Sequence, residues 1–132
     1  MSSADPKANR PLSPHIQIYH WAATMIVSIV QRITGVGMYV GTLLLAWWLL
    51  AAAAGPEHFA AFSRVAGSWI GLIVLFGYTW ALMHHALGGI RYFIWDTGHG
   101  MGKPARDQLA VANIVGGLVL TVVLWIIGLM VW

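Results

Sequence analysis

The chain of 132 residues contains no cysteine. Disulfides, thiolate chemistry and cysteine-held iron–sulfur or zinc sites are therefore excluded within it. Charge is almost as scarce, at 8% of residues, about a third of what a soluble domain of this size carries. Acidic residues number 4 against 7 basic ones. The resulting net charge of +3 is small, and its basic residues are scattered near the ends of apolar segments. That distribution suits membrane flanks and argues against nucleic-acid binding. The opening stretch, MSSADPKANRPLSPH, lacks the apolar core and cleavage site of a secretory signal. It also lacks the arginine-rich amphipathic character of a transit peptide. Both absences favour a bacterial cytoplasmic-membrane protein. No internal repeat is found, and three spans cannot form two equal halves, which disfavours a self-contained inverted-repeat transporter.

What remains is overwhelmingly apolar: 59% of residues are hydrophobic and the mean hydropathy is +0.74. Three segments, about 24–54, 66–92 and 108–132, are long enough to cross roughly 30 Å of hydrocarbon. The last of the apolar cores carries no charge. The reading is an all-α membrane protein: a cytoplasmic N-terminal segment, 1–22, followed by a three-helix transmembrane anchor, 23–132. AGPEHFAAFSR reads as the loop between the first two spans. DTGHGMGKPARDQ, with its Gly, Pro and charge, reads as the water-exposed turn between the last two. Lys7 and Arg10 precede the first span, and Arg91, Lys103 and Arg106 lie between the second and third, whereas only Arg64 lies on the other side. The positive-inside rule then places the N-terminus in the cytoplasm and the C-terminus outside. Trp47, Trp48, Trp69 and Trp132 fall at the outer ends of the spans, and Trp21, Tyr92 and Trp95 at the inner ends, as interfacial belts do.

Two groups of polar residues break the apolar pattern. Ser28, Arg32 and Gly35 are spaced by four and three residues, so they share one helix face. An arginine at the centre of a membrane helix costs roughly 2.5–3.5 kcal/mol, and less towards the interface. Arg32 can simply snorkel to the headgroups. With Ser28 one turn away it can also bind a polar head that gains negative charge, such as a quinone carbonyl under reduction. Ser28 has its own plain alternative, a bond to the carbonyl four residues earlier. The second group lies in ALMHHALGGIRYFIWDTG. His84 and His85 are neighbours and point about 100° apart, so one metal can take at most one of them. His85 shares a face with Gly88 and Gly89, which leave room for a flat group or a close helix. Arg91 lies six residues on, about 9 Å along the axis, suiting an imidazole on a haem iron with basic groups nearer the surface. A histidine hydrogen-bonded between helices, or a proton relay, fits the spacing too. If the iron takes two axial ligands, the second must come from a partner: His15 and His20 precede the first span and His58 is on the wrong side. Gly37 and Gly41 form a GxxxG, a weak packing signal. His58, Glu57 and His99 read as solvated, and Asp96 as a turn cap or a partner of Arg91.

Three stretches together resemble a known family. RPLSPHIQIY (Arg10–Tyr19), SIVQRITG (Ser28–Gly35) and HALGGIRYFIWDTG (His85–Gly98) are similar, in that order, to signatures of the cytochrome b556 membrane-anchor subunits of succinate dehydrogenase, respiratory Complex II. The resemblance implies half of a two-subunit haem-binding helical bundle. It implies His85 as an axial ligand of haem b, with the other ligand supplied by a second membrane-anchor subunit. It implies Ser28 and Arg32 as quinone-site residues, with ubiquinone or another quinone as substrate, and sets Gln31, Arg32 and Arg91 near the haem propionates. The partners it implies are that second anchor, an iron–sulfur subunit and a flavoprotein subunit, in the bacterial inner membrane, with no catalytic activity in this chain alone. Two positions depart from the family pattern: Gln31 and Tyr92 stand where relatives carry histidine, and neither can bear the same charge. A quinol:fumarate reductase anchor is the rival within the family, and a small transporter with a His/Arg relay the rival outside it.

Overall fold

The computed structural model describes residues 19–131, and in them four helices follow one another: α1 (Ala23–Ala54), α2 (Pro56–Ala66), α3 (Trp69–Asp96) and α4 (Lys103–Val131). Three of them, α1 with 32 residues, α3 with 28 and α4 with 29, are long and apolar enough to cross a membrane. Most of the segment 1–22, with Lys7, Arg10, His15 and the greater part of RPLSPHIQIY, lies outside the described residues, as does Trp132.

Local chemistry sets the boundaries. The carbonyl of Ala22 accepts from Met25 and Ile26 to start α1. Gly55 ends it at φ 111°, a conformation that costs glycine little and other residues much, and Pro56 opens α2 where no N–H is needed. The stretch read from sequence as a loop is thus an 11-residue helix. Gly-Pro-Glu at its head is a helix start, and the alanines that follow are strong helix formers. What misled was hydropathy, which registers spans and overlooks short surface helices. Phe62 of α2 sets its ring edge-on to Trp47 of α1, with centroids 4.9 Å apart. Ser68 caps α3, its hydroxyl accepting from the Gly71 amide at 3.1 Å. Gly98 and Gly100, at φ 79° and 72°, turn the chain into α4. That helix begins at Lys103, ahead of the expected 108, because the polar first turns continue the same backbone ladder.

Side chains are distributed inside out relative to a soluble bundle. Apart from Val27, the buried positions are small or polar, among them Gln31, Thr34 and Gly41 on α1, His84, Gly88 and Arg91 on α3, and Asn113, Gly117 and Thr121 on α4. Large aliphatic residues such as Leu43, Leu50, Leu129 and Met130 point outward. In lipid an outward leucine loses nothing, whereas polar groups must find partners within the protein, so close backbone approach and interhelical hydrogen bonds hold the helices together. α3 packs on both α1 and α4, and α1 also touches α4. At the α4 seam, Trp125 donates to the Thr79 hydroxyl at 3.3 Å and sets its ring against Phe76.

Candidate functional site

The two adjacent histidines have different surroundings. His84 is fully buried and faces α4. The Asn113 side-chain amide lies 3.1 Å from His84 Nδ1 and donates to the His84 carbonyl at 3.0 Å. An amide NH₂ can only donate, so it pairs with Nδ1 in the Nε2-protonated tautomer, whose Nε2 is buried with no partner among the described residues. The Trp80 ring covers His84, with centroids 5.5 Å apart. Gly117 lets α4 come this close, since a Cβ there would lie 3.1 Å from the His84 Cα.

His85 is half-buried and turned towards α1. Its ring lies over Gly35, where a Cβ would come within 3.2 Å of the His85 Cε1. Its Nδ1 is buried and has no hydrogen-bond partner among the described residues. The backbone beneath it is pinned from α1: Gln31 Nε2 donates to the His85 carbonyl at 3.1 Å. The Gln31 amide lies against Gly88 so closely that any side chain at position 88 would collide with it. Gln31 is therefore a strut of the α1–α3 seam. A third close approach, Gly41 against the Tyr78 ring, continues the same seam.

Ser28 and Gly35 lie seven residues apart on α1, two turns on one face, and His85 meets that face from α3. Ser28 is half-buried and lines a groove of about 280 Å³ with Thr24, Met25 and Ile29. Arg32, one turn beyond Ser28, is exposed. Helical spacing thus puts Ser28 and Arg32 towards the face of α1 on which Gly35 meets His85. Arg91 stands apart from them. It is buried between α3 and α4, its Cζ 5.0 Å from the centre of the Trp95 ring. It forms no ion pair with Asp96 among the described residues, contrary to one expectation for that acid, and Thr97 occupies the cap position.

Residues 6–126 match the family described as Succinate dehydrogenase/Fumarate reductase transmembrane subunit. The chain is 41% identical over 121 residues to the succinate dehydrogenase cytochrome b556 subunit of Paracoccus denitrificans, covering 92% of this chain and 93% of that one. It is 32% identical over 117 residues to the protein of that name from Rickettsia felis, covering 89% and 91%. It is 38% identical over 113 residues to the mitochondrial succinate dehydrogenase cytochrome b560 subunit of Sus scrofa, covering 82% of this chain and 65% of that one. The chain belongs to this family. As a succinate dehydrogenase/fumarate reductase transmembrane subunit it is a multi-pass membrane protein, and its relatives are subunits of an enzyme complex.

Sequence reasoning passed over Asn113. The third span of this family member reads as uniformly apolar, yet Ala110, Asn113, Gly117 and Thr121 are its buried residues. Their spacing of three, four and four was the available signal: one stripe of small and polar residues on an otherwise aliphatic helix.

Proposed function

We propose that this chain is the membrane anchor of a succinate:quinone oxidoreductase, holding one side of a haem b through His85 and part of a quinone site through Ser28 and Arg32. The observation that carries the reading is the division of labour between the two histidines. Asn113 engages His84 inside the bundle, which leaves His85 to meet Gly35 on the face of α1 towards which helical spacing puts the serine and the arginine.

The donor set fits a haem. Imidazole is a common axial ligand, the His85 ring is half-buried rather than sealed like that of His84, and Gly35 leaves it a neighbour without a side chain. In this reading a single axial ligand is contributed here and a second by another anchor subunit. Arg32 is the α1 group open to the propionates, whereas the buried Gln31 amide is committed to the His85 carbonyl. A haem b bound there supplies one-electron redox chemistry at its iron.

Quinone reduction needs two electrons and two protons, the electrons arriving from succinate through a flavoprotein and an iron–sulfur subunit. Arg32 holds a fixed positive charge where the quinone oxygen gains negative charge, a preorganised stabilisation that strengthens as water is excluded. The Ser28 hydroxyl donates a hydrogen bond to a quinone carbonyl and can pass on a proton. The bias of basic residues supports an N-terminus in the cytoplasm and a C-terminus outside, in a bacterial inner membrane. The names of the relatives favour succinate oxidation over the reverse reaction, and family membership favours an anchor over a transporter.

The test is a reduced-minus-oxidised spectrum of the assembled complex. His85→Leu loses or strongly shifts the b-type band, while His84→Gln retains it. An unchanged band in the His85 variant removes the assignment.

A further inference from the structure

A crevice of about 130 Å³ opens between α3 and α4, lined by Leu87, Ile90 and Arg91 on one helix and Leu109, Ala112 and Asn113 on the other. Most of that wall is aliphatic. Arg91 is only 3% exposed, and its Nε and Nη1 are buried with no hydrogen-bond partner among the described residues. The Trp95 and Tyr92 rings lie 5.0 Å and 5.3 Å from its Cζ. Aromatic faces attract the charge but leave the N–H groups unused. Two more donors at this end of the bundle, Trp95 Nε1 and Arg106 Nε, are buried and unpaired in the same sense. A guanidinium shielded from water with open N–H groups calls for an anion rich in acceptor oxygens.

We propose that this crevice binds the phosphate of a membrane phospholipid, Arg91 donating to the phosphate oxygens while the aliphatic wall takes the start of an acyl chain. Depth fits. Arg91 lies five residues from the end of α3, about 7.5 Å along the axis, beside two aromatic residues of the kind that mark the headgroup level. Room fits: the crevice equals the share of about four waters in the liquid. The surroundings choose lipid over an acidic peptide. Ile90, which lines the crevice, is an exposed aliphatic side chain, and Leu87, Ile94 and Leu109 line it too. A peptide entering there would bring unpaired backbone amides into an apolar setting, whereas a lipid brings only its phosphate to the arginine fork.

The proposal rests on the reading of His85 in one respect. Ile90 lies about 140° around α3 from His85, so the crevice opens away from the haem side. Arg91 is thereby taken from the propionates, where the resemblance set it.

The test uses the whole complex, purified in mild detergent. Native mass spectrometry counts the phospholipid retained per complex, and the haem spectrum is recorded on the same sample. Arg91→Gln loses one tightly held phospholipid and keeps the b-type band in position and height; Arg91→Lys retains part of that lipid. If Arg91→Gln does not assemble, Ala112→Phe fills the crevice without touching the charge and loses the same phospholipid. An unchanged lipid count in the assembled variant overturns the proposal. So does a shifted band at constant lipid count, which returns the guanidinium to the propionates, and so does inorganic phosphate found in place of lipid. The His85 variants report on the haem reading separately, because their phospholipid count stays at the parent value.

Discussion

At the scale of single residues, position on the helix wheel decides what each polar group can do. Arg32 and Arg91 are the same side chain on neighbouring helices, yet one is exposed beside Ser28 and the other is sealed between helices. Arg32→Ala lowers quinone reduction on the order of a hundredfold, the usual size for removing one preorganised electrostatic partner. It leaves electron transfer from succinate to a soluble dye at the parent rate, because that route ends before the membrane. Paired assays of quinone and dye reduction check this, and equal losses in both would refute the assignment. Spacing alone put Ser28 and Arg32 on one face and showed that His84 and His85 diverge. It could not show which histidine turned inward, nor that Arg91 turned towards α4. Those depend on where the neighbouring helices cross α3, which Gly88, Gly35 and Gly117 fix by letting other backbones and side chains approach.

At the scale of elements, the two seams of α3 are built differently. The α1 seam rests on three glycine contacts and one side-chain-to-backbone hydrogen bond from Gln31. The α4 seam depends on Asn113, whose amide reaches both the ring and the backbone of His84. Interhelical hydrogen bonds of this kind contribute about 0.6–2 kcal/mol in membranes. Asn113→Leu therefore lowers the temperature at which the detergent-purified complex loses its haem band by a few degrees, with the room-temperature spectrum little changed. A melting profile identical to the parent would show that the bond contributes nothing. Asn113 escaped the sequence reading because a single amide among valines and leucines barely alters hydropathy. α2 escaped it for a related reason: eleven residues are too few to register as a span, although Gly55 and Pro56 punctuate its start.

At the scale of the whole molecule, the fold was legible because its main physical demand is crude. Three long apolar segments need only reach across the hydrocarbon, and length with composition reports that directly. Function was legible to the extent that rare polar residues in an apolar chain stand out, each incurring a desolvation cost that something must offset. Under the proposed function one axial imidazole comes from this chain, so the chain expressed without a second membrane subunit holds no haem, and coexpression with that subunit restores it. Haem staining of membranes from the two strains distinguishes these, and haem retained by the lone chain would show that it supplies both ligands.

The first helix runs unbroken for 32 residues, a rise of about 48 Å, whereas the hydrocarbon it crosses measures only about 30 Å. Such a rod must lean or protrude. Arg32 is its tenth residue, about 13 Å from the near tip, and so hangs close to the waterline. Its charge can rest among hydrated headgroups at little cost, and under the proposed function the same guanidinium meets an incoming quinone without having to be dragged out of oil.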